Sequence, residues 1–304
     1  MHCFFGFWGN SYNDYRNAVP HEGLLFVELL LGVTILVLGY QILRKWKTST
    51  EERNGEVLAR MKKLYANAKS PCFVYTSNID RFALTSGLAA SSDELYEYHG
   101  DLFTWQCSKP CSNKLWTAPE SYRFDVDPET MLCVPKKDSF VPSVDKAGDP
   151  RLEGPDISKQ SFSGPLPVCP FCPSLTYARP SILMFNSDDT LLWQRKDFAE
   201  KNWEAWKNAL LGSLRRTPAR IVIVEVGAGT NVPSLRFHGE RFMSDLKRDY
   251  RSCPPVTLIR INPDYPNAED PALKDNVIGI QMAGLPALKM IDAAMEQIKL
   301  NALM

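Results

Sequence analysis

Short apolar runs alternate with longer stretches of helical periodicity through most of the chain. The runs end in polar or glycine-containing turns and predict buried strands, which span 72–75, 181–185, 221–226 and 257–262. Apolar residues recur at helical spacing between and after these runs, and they predict helices over 194–216, 234–250 and 284–300. Strands that alternate with helices predict an α/β fold with a parallel sheet.

The most apolar part of the chain, residues 24–43, is open to three interpretations. A helix of that length could cross a bilayer, and Arg44 and Lys45 after it would keep the following domain in the cytosol. Glu28 argues against this, because an acid inside a bilayer is costly. The segment could instead be a buried core helix. It could also be a translated insertion, because removing residues 24–39 joins the flanks into one amphipathic helix.

The compartment depends on that choice. A real membrane helix predicts a membrane-anchored protein whose main domain is cytosolic, and otherwise we expect a cytoplasmic or nuclear protein. Residues 1–23 are aromatic and polar and lack the basic start and cleavage site of a signal peptide. The main domain is predicted over 48–304. The 35 basic and 35 acidic residues balance, so charge gives no reason to expect direct nucleic-acid binding.

Four of the eight cysteines form two close pairs, Cys107 with Cys111 and Cys169 with Cys172. Two such pairs on turns suit tetrahedral Zn²⁺. Four protein thiolates would leave no open position for a catalytic water, so we predict one structural zinc ion. The alternatives are free cysteines or a redox-active CxxC at 169–172.

Polar and small residues follow two of the predicted strands. Ser77, Asn78 and Asp80 follow the first strand, and a glycine turn at 227–229 follows the third. Ligands of open α/β sheets bind at these carboxyl ends, where small residues let the backbone approach a phosphate and Asn or Asp can bind ribose hydroxyls. The simpler alternatives are a helix cap and an ordinary tight turn.

His99 precedes Gly100 at the predicted end of an element. A neutral imidazole there could accept a proton from a ribose hydroxyl. A lone histidine is more often a structural residue, and that alternative stays open.

Six features occur in one order along the chain: TSNID at 76–80, EYHG at 97–100, the four paired cysteines, ARPSILMF at 178–185, GAGTNVPSLR at 227–236 and LIRINP at 258–263. This order over roughly residues 71–292 resembles that of the sirtuins, a family of NAD-dependent protein deacylases. The chain is most similar to the group that reads TSN rather than TQN.

The resemblance implies a Rossmann-like parallel sheet, incomplete at its N-terminal strand, with a small zinc-binding module at about 103–180. It also implies a deacylase that transfers an acyl group from a lysine of a protein substrate to ADP-ribose and releases nicotinamide. His99 would be the catalytic proton acceptor. The implied ligands are Cys107, Cys111, Cys169 and Cys172 for zinc, and Ser77, Asn78, Asp80, Gly227, Gly229 and Asn262 for NAD.

The sequence lacks the strand, the Gly-rich loop and the Pro-Asp-Phe-Arg segment with which that family opens. The resemblance is therefore to an N-terminally truncated member, and we expect lost or weakened activity, because that loop forms much of the pyrophosphate cradle. The first alternative is a non-catalytic sirtuin-like zinc module, which residues 24–43 could anchor in a membrane. The second is a generic zinc-ribbon interaction protein with an amphipathic anchor.

Overall fold

The structure is a computed structural model. It describes residues 2–17, 33–38, 72–85, 89, 91–134, 155–173, 176–184, 190–215, 220–249 and 256–301. The chain divides into two compact units. The first unit comprises Met1–Val19, Ile79–Arg81 and His99–Asp197, and the second comprises Pro20–Asn78, Phe82–Tyr98 and Phe198–Met304.

The helices and strands are numbered in chain order. The helices are α1 His2–Asn17, α2 Phe82–Thr85, α3 Pro155–Phe162, α4 Gln194–Leu214, α5 Ser234–Asp249 and α6 Gly284–Asn301. The strands are β1 Val33–Leu38, β2 Cys72–Thr76, β3 Leu95–Glu97, β4 Gly100–Cys107, β5 Trp116–Thr117, β6 Ala178–Ile182, β7 Ile221–Val226, β8 Val256–Ile261 and β9 Val277–Ile280. Two short 3₁₀ helices cover Ser92–Glu94 and Pro271–Asn276.

A six-stranded sheet with the order β3-β2-β1-β7-β8-β9 forms the core of the second unit. The pairs β2–β3, β7–β8 and β8–β9 are parallel, which confirms the predicted α/β architecture with parallel strand pairs. Strand β7 is buried at five of its six positions, because apolar residues occupy both of its faces everywhere except at Glu225. The Trp203 and Trp206 rings of α4 pack against Phe73 of β2, at centroid distances of 5.0 and 5.4 Å.

Strand β1 corrects two expectations about residues 24–43. Val33–Leu38 form a strand between β2 and β7 and pair antiparallel with both, so these six residues are not helical. The sequence predicted a sheet that lacks its N-terminal strand, but β1 fills the position between β2 and β7, and the sheet is continuous there. The other residues of the 24–43 segment lie outside the described part of the chain. None of the described helices has the length and apolarity needed to cross a membrane.

The first unit is built around the antiparallel sheet β5-β4-β6 and the aromatic helix α1. Phe5 of α1 is fully buried and stacks on Trp105 and Phe124, at centroid distances of 6.3 and 5.9 Å. Gly6 lets the backbone at Met131 lie close to helix α1, since a Cβ on Gly6 would lie 1.9 Å from the carbonyl oxygen of Met131. The N-terminal aromatic segment is therefore part of this core.

Most predicted elements are found within one to three residues of their expected bounds, including β7, β8, α4, α5 and α6. The strand predicted at 181–185 begins earlier, as β6 at Ala178. Helix α3 was not predicted, because the stretch 112–168 shows little periodicity. Residues 48–70, at the start of the predicted main domain, lie outside the described part of the chain.

Candidate functional site

The backbone of the first unit brings the two cysteine pairs together. Cys107 is the last residue of β4 and pairs with Ala178 at the start of β6. Cys169 lies in the turn before β6, where its N–H donates to the carbonyl oxygen of Thr176 at 2.6 Å. Because β4 and β6 are neighbours, the loop after Cys107 and the turn before Ala178 meet at one end of the sheet.

The four sulfur atoms are spaced for a tetrahedral metal ion. The Cys107 and Cys172 sulfurs are 3.6 Å apart, as are those of Cys111 and Cys169, and all four lie within 4.8 Å of one another. Zn–S bonds of about 2.3 Å in a tetrahedron place the sulfurs about 3.8 Å apart. A disulfide requires about 2.05 Å, and all four cysteines are free. The cluster could therefore hold a metal ion.

Backbone hydrogen bonds at the first cysteine of each pair favour thiolates. Burial raises the pKa of Cys107, and hydrogen bonds from the backbone of Cys111 and Lys109 oppose that rise. Burial also raises the pKa of Cys169, and hydrogen bonds from the backbone of Phe171 and Cys172 oppose it. A hydrogen bond from Thr176 lowers the pKa of Cys172 to about 7. A bound cation would stabilise all four thiolates further. The site is closed except at Cys111, which is exposed.

The second unit contains a separate cavity of about 330 Å³ at the carboxyl ends of β2 and β7. Ligands of open α/β sheets bind at these strand ends, and small-molecule pockets are typically about 300–1,000 Å³. The described residues that line the cavity are Ser77, Gly227, Ala228, Gly229, Thr230, Asn231, Val232, Leu235 and Tyr265.

The glycine turn after β7 has little steric bulk on the cavity side. Gly227 has a φ of +69°, a conformation that favours glycine, and its N–H donates to the carbonyl oxygen of Ile261 at 3.0 Å. A Cβ added to Gly229 would have no atom within 4 Å. The backbone of this turn is therefore accessible to a ligand, and the long helix α5 begins shortly after it.

Asn262 holds two loops of the cavity together. Its Nδ2 donates to the carbonyl oxygen of Ala228 at 3.0 Å, and its Oδ1 accepts from the N–H groups of Asp264 and Tyr265 at 2.9 and 3.0 Å. The side chain is 5% exposed. The structure thus gives Asn262 a positioning role, and its predicted contact with NAD stays a prediction.

The TSNID segment contributes to both units. Ser77 lines the cavity of the second unit. Asn78 is half-buried, and its N–H donates to the Thr76 hydroxyl at 3.0 Å. Asp80 belongs to the first unit and is 4% exposed. Burial raises the pKa of Tyr15, and the charge of Asp80 adds to that rise, so the Asp80 carboxylate lies near α1.

His99 lies in the first unit, in the turn between β3 and β4. Its carbonyl oxygen accepts the N–H of Leu183 at 2.9 Å, and its side chain is half-buried. Gly100 has a φ of +82°, and a Cβ there would lie 2.0 Å from the carbonyl oxygen of Ser181. Only glycine fits this position, so the His99–Gly100 pair forms a turn whose backbone packs closely against β6.

A scan against protein-family models finds no match, and a search of curated proteins finds none either.

Arg236 and Tyr265 connect the cavity loops, and neither was predicted from the sequence as a site residue. The Arg236 Nη1 donates to the carbonyl oxygens of Ala228 and Tyr265 at 3.2 and 2.9 Å. Tyr265 could have been noticed, because it follows a predicted parallel strand by only a few residues. The burial of Arg236 had no signal in the sequence, since an arginine at one position of an amphipathic helix usually faces solvent.

Proposed function

We propose that this chain is a sirtuin-type protein that binds NAD and deacylates protein lysines, with a structural Zn²⁺ in its first unit. The observation that carries the proposal is the cavity at the carboxyl ends of β2 and β7. Ser77 and the turn Gly227–Gly229 line it, and they come from two of the motifs whose order resembles the sirtuins.

The cavity lining supports a phosphate-containing ligand of this size. None of the described lining residues carries a charged side chain, so phosphate would be bound by backbone N–H groups of the glycine turn and of the start of α5. NAD would supply ADP-ribose as the acyl acceptor and nicotinamide as the leaving group. In this reaction the nicotinamide–ribose bond of NAD and the lysine amide C–N bond would break and one water would be consumed. The acyl group would pass to a ribose hydroxyl of ADP-ribose, and the oxygen and hydrogens of the water would complete the ADP-ribose ester and the free lysine amine.

His99 is the residue proposed to accept the proton of the ribose hydroxyl. The sulfur spacing and the backbone bonds to Cys107 and Cys169 support Zn²⁺ as the ion of the cysteine cluster. The ion would hold the loops at 107–111 and 169–172 in place, and the two cysteine pairs would supply all four ligands.

A non-catalytic zinc-containing module is the second candidate, and β1 favours it. The family resemblance implied a sheet that lacks its N-terminal strand, whereas β1 occupies the position between β2 and β7 as an antiparallel strand. Because β1 is antiparallel, its carboxyl end lies at the edge of the sheet opposite the cavity. A loop that follows β1 therefore does not begin at the cavity.

The deciding experiment is nicotinamide release from NAD by purified protein, with and without an acyl-lysine peptide. We expect release only with the peptide, and we expect His99→Ala to reduce it at least 100-fold, the lower range for a lost general base. His238→Ala on α5 is the matched histidine control and should retain activity. Binding of ADP-ribose without any release would support the non-catalytic module instead.

A further inference from the structure

Tyr265 is an aromatic residue that lines the cavity of the second unit. Its side chain is 51% exposed, in the loop after β8. Of the described residues that line the cavity, it alone carries an aromatic ring. A ring so exposed adds little to the hydrophobic core, so its place at the cavity calls for another explanation.

The backbone of Tyr265 is fixed on both sides. Its N–H donates to Asn262 Oδ1 at 3.0 Å, and its carbonyl oxygen accepts from Arg236 Nη1 at 2.9 Å. The same two side chains also donate to the carbonyl oxygen of Ala228, at 3.0 and 3.2 Å. Asn262 and Arg236 therefore tie the loop of Tyr265 to the glycine turn.

Arg236 is itself held in place and is not available to a ligand. It is 2% exposed, and its Nε donates to Glu269 Oε1 at 2.7 Å. Its Nη2 donates to the carbonyl oxygen of Asn267 at 3.2 Å, and its Nη1 lies 3.8 Å from Glu225 Oε1. Two carboxylates thus balance its charge, and it acts as a positioning residue for the cavity.

From this arrangement we propose that Tyr265 binds the aromatic base of a nucleotide ligand by stacking. The inference rests on the proposed function, since it assigns the base-binding residue of the same cavity. Because the backbone of Tyr265 is already fixed, only its side-chain rotations remain to be ordered when a ligand binds. Stacking of a base on an aromatic side chain contributes about 1–3 kcal/mol, which corresponds to a 5- to 150-fold change in affinity.

The test is isothermal titration calorimetry with two probes, ADP-ribose and ribose 5-phosphate, which lacks the base. We expect Tyr265→Ala to weaken ADP-ribose binding about 5- to 150-fold and to leave ribose 5-phosphate binding unchanged. Tyr265→Phe should bind ADP-ribose like the wild type, because it keeps the ring. Phe237→Ala is the matched control: this ring is 59% exposed on α5 and does not line the cavity.

The outcomes separate this inference from the function on which it rests. If wild-type protein binds no ADP-ribose, the nucleotide site and the stacking role are both overturned. If it binds and Tyr265→Ala binds equally well, only the stacking role is wrong. Equal losses for both probes would also overturn stacking, because they would show that Tyr265 shapes the cavity rather than binding the base.

Discussion

At the scale of single residues, the second unit depends on charged side chains buried between β7, β8 and α5. Arg260 is fully buried, and its guanidinium binds both carboxylate oxygens of Glu225, at 2.6 and 3.1 Å. It also donates to Glu240 at 2.8 Å. Burial raises the pKa of the Glu225 carboxyl, and the neighbouring Arg260 guanidinium opposes that rise. The contact between Arg260 and Glu240 joins the sheet to helix α5, which begins beside the cavity.

We predict that Arg260→Met destabilises the second unit by about 3–5 kcal/mol near neutral pH, because the buried Glu225 then loses both hydrogen bonds to Arg260 and keeps only the more distant Arg236, at 3.8 Å. The pKa of Glu225 should rise further. A carboxyl with a raised folded pKa contributes stability below its unfolded pKa of about 4.3, and this is lost as the pH rises through the folded pKa. The destabilisation should therefore be larger at about pH 8 than at about pH 5.

Urea unfolding at both pH values measures this effect. The double variant with Glu225→Gln as well should recover part of the loss at the higher pH. An equal loss at both pH values would show that lost packing, rather than the unpaired carboxylate, causes the destabilisation.

At the scale of elements, β1 decides how the second unit is built. Its register places Val33 opposite both Thr76 and Val226, so the strand bonds to two neighbours along its length. An interior strand of this kind supplies hydrogen bonds that the sheet cannot replace from solvent. Residues 33–38 therefore form an interior strand, although the sequence allowed a membrane helix, a core helix or an insertion at 24–43.

A proline or a deletion within β1 tests its interior position in the sheet. Ile35→Pro should strongly destabilise the second unit, because proline removes a ladder hydrogen bond from an interior strand. Deletion of residues 24–39 should do the same, since β2 and β7 would lose their common neighbour. Ile35→Val, which keeps a β-branched side chain, is the control. A deletion variant that unfolds like the wild type would contradict the strand and support the insertion.

At the scale of the whole molecule, the two units have separate hydrophobic cores. Trp105 and Trp116 are buried in the first core, together with Cys107, Cys169 and Cys172. Trp203 and Trp206 belong to the second. Because the cysteine cluster is part of one core only, metal binding should stabilise the first unit more than the second.

We predict that a strong chelator lowers the melting temperature of the first unit and leaves that of the second nearly unchanged. Differential scanning calorimetry with and without the chelator measures both transitions. Cys169→Ser should have the same effect and reduce the bound metal, measured by elemental analysis. Cys133→Ala, which alters a buried cysteine of the same core outside the cluster, should keep its metal. An unchanged first transition after metal removal would contradict a structural ion.

Periodicity in the sequence predicted the α/β class and the extents of β7, β8, α4 and α5, and the spacing of the cysteines predicted a cluster that could hold a metal ion. These features depend on local spacing, because a buried strand or an amphipathic helix requires its own pattern of apolar residues. The turn after β7 and Ser77 were also located, since they follow predicted strands directly.

Only the tertiary structure decided the rest. The apolar run at 33–38 fits a helix and a buried strand equally well, and the partners β2 and β7 determine which one forms. Asn262 donates to the carbonyl oxygen of Ala228, and Arg236 of α5 donates to that of Tyr265, so these bonds join segments that are distant in sequence. Local pattern carries no record of such contacts, because they depend on where the sheet places the ends of its strands.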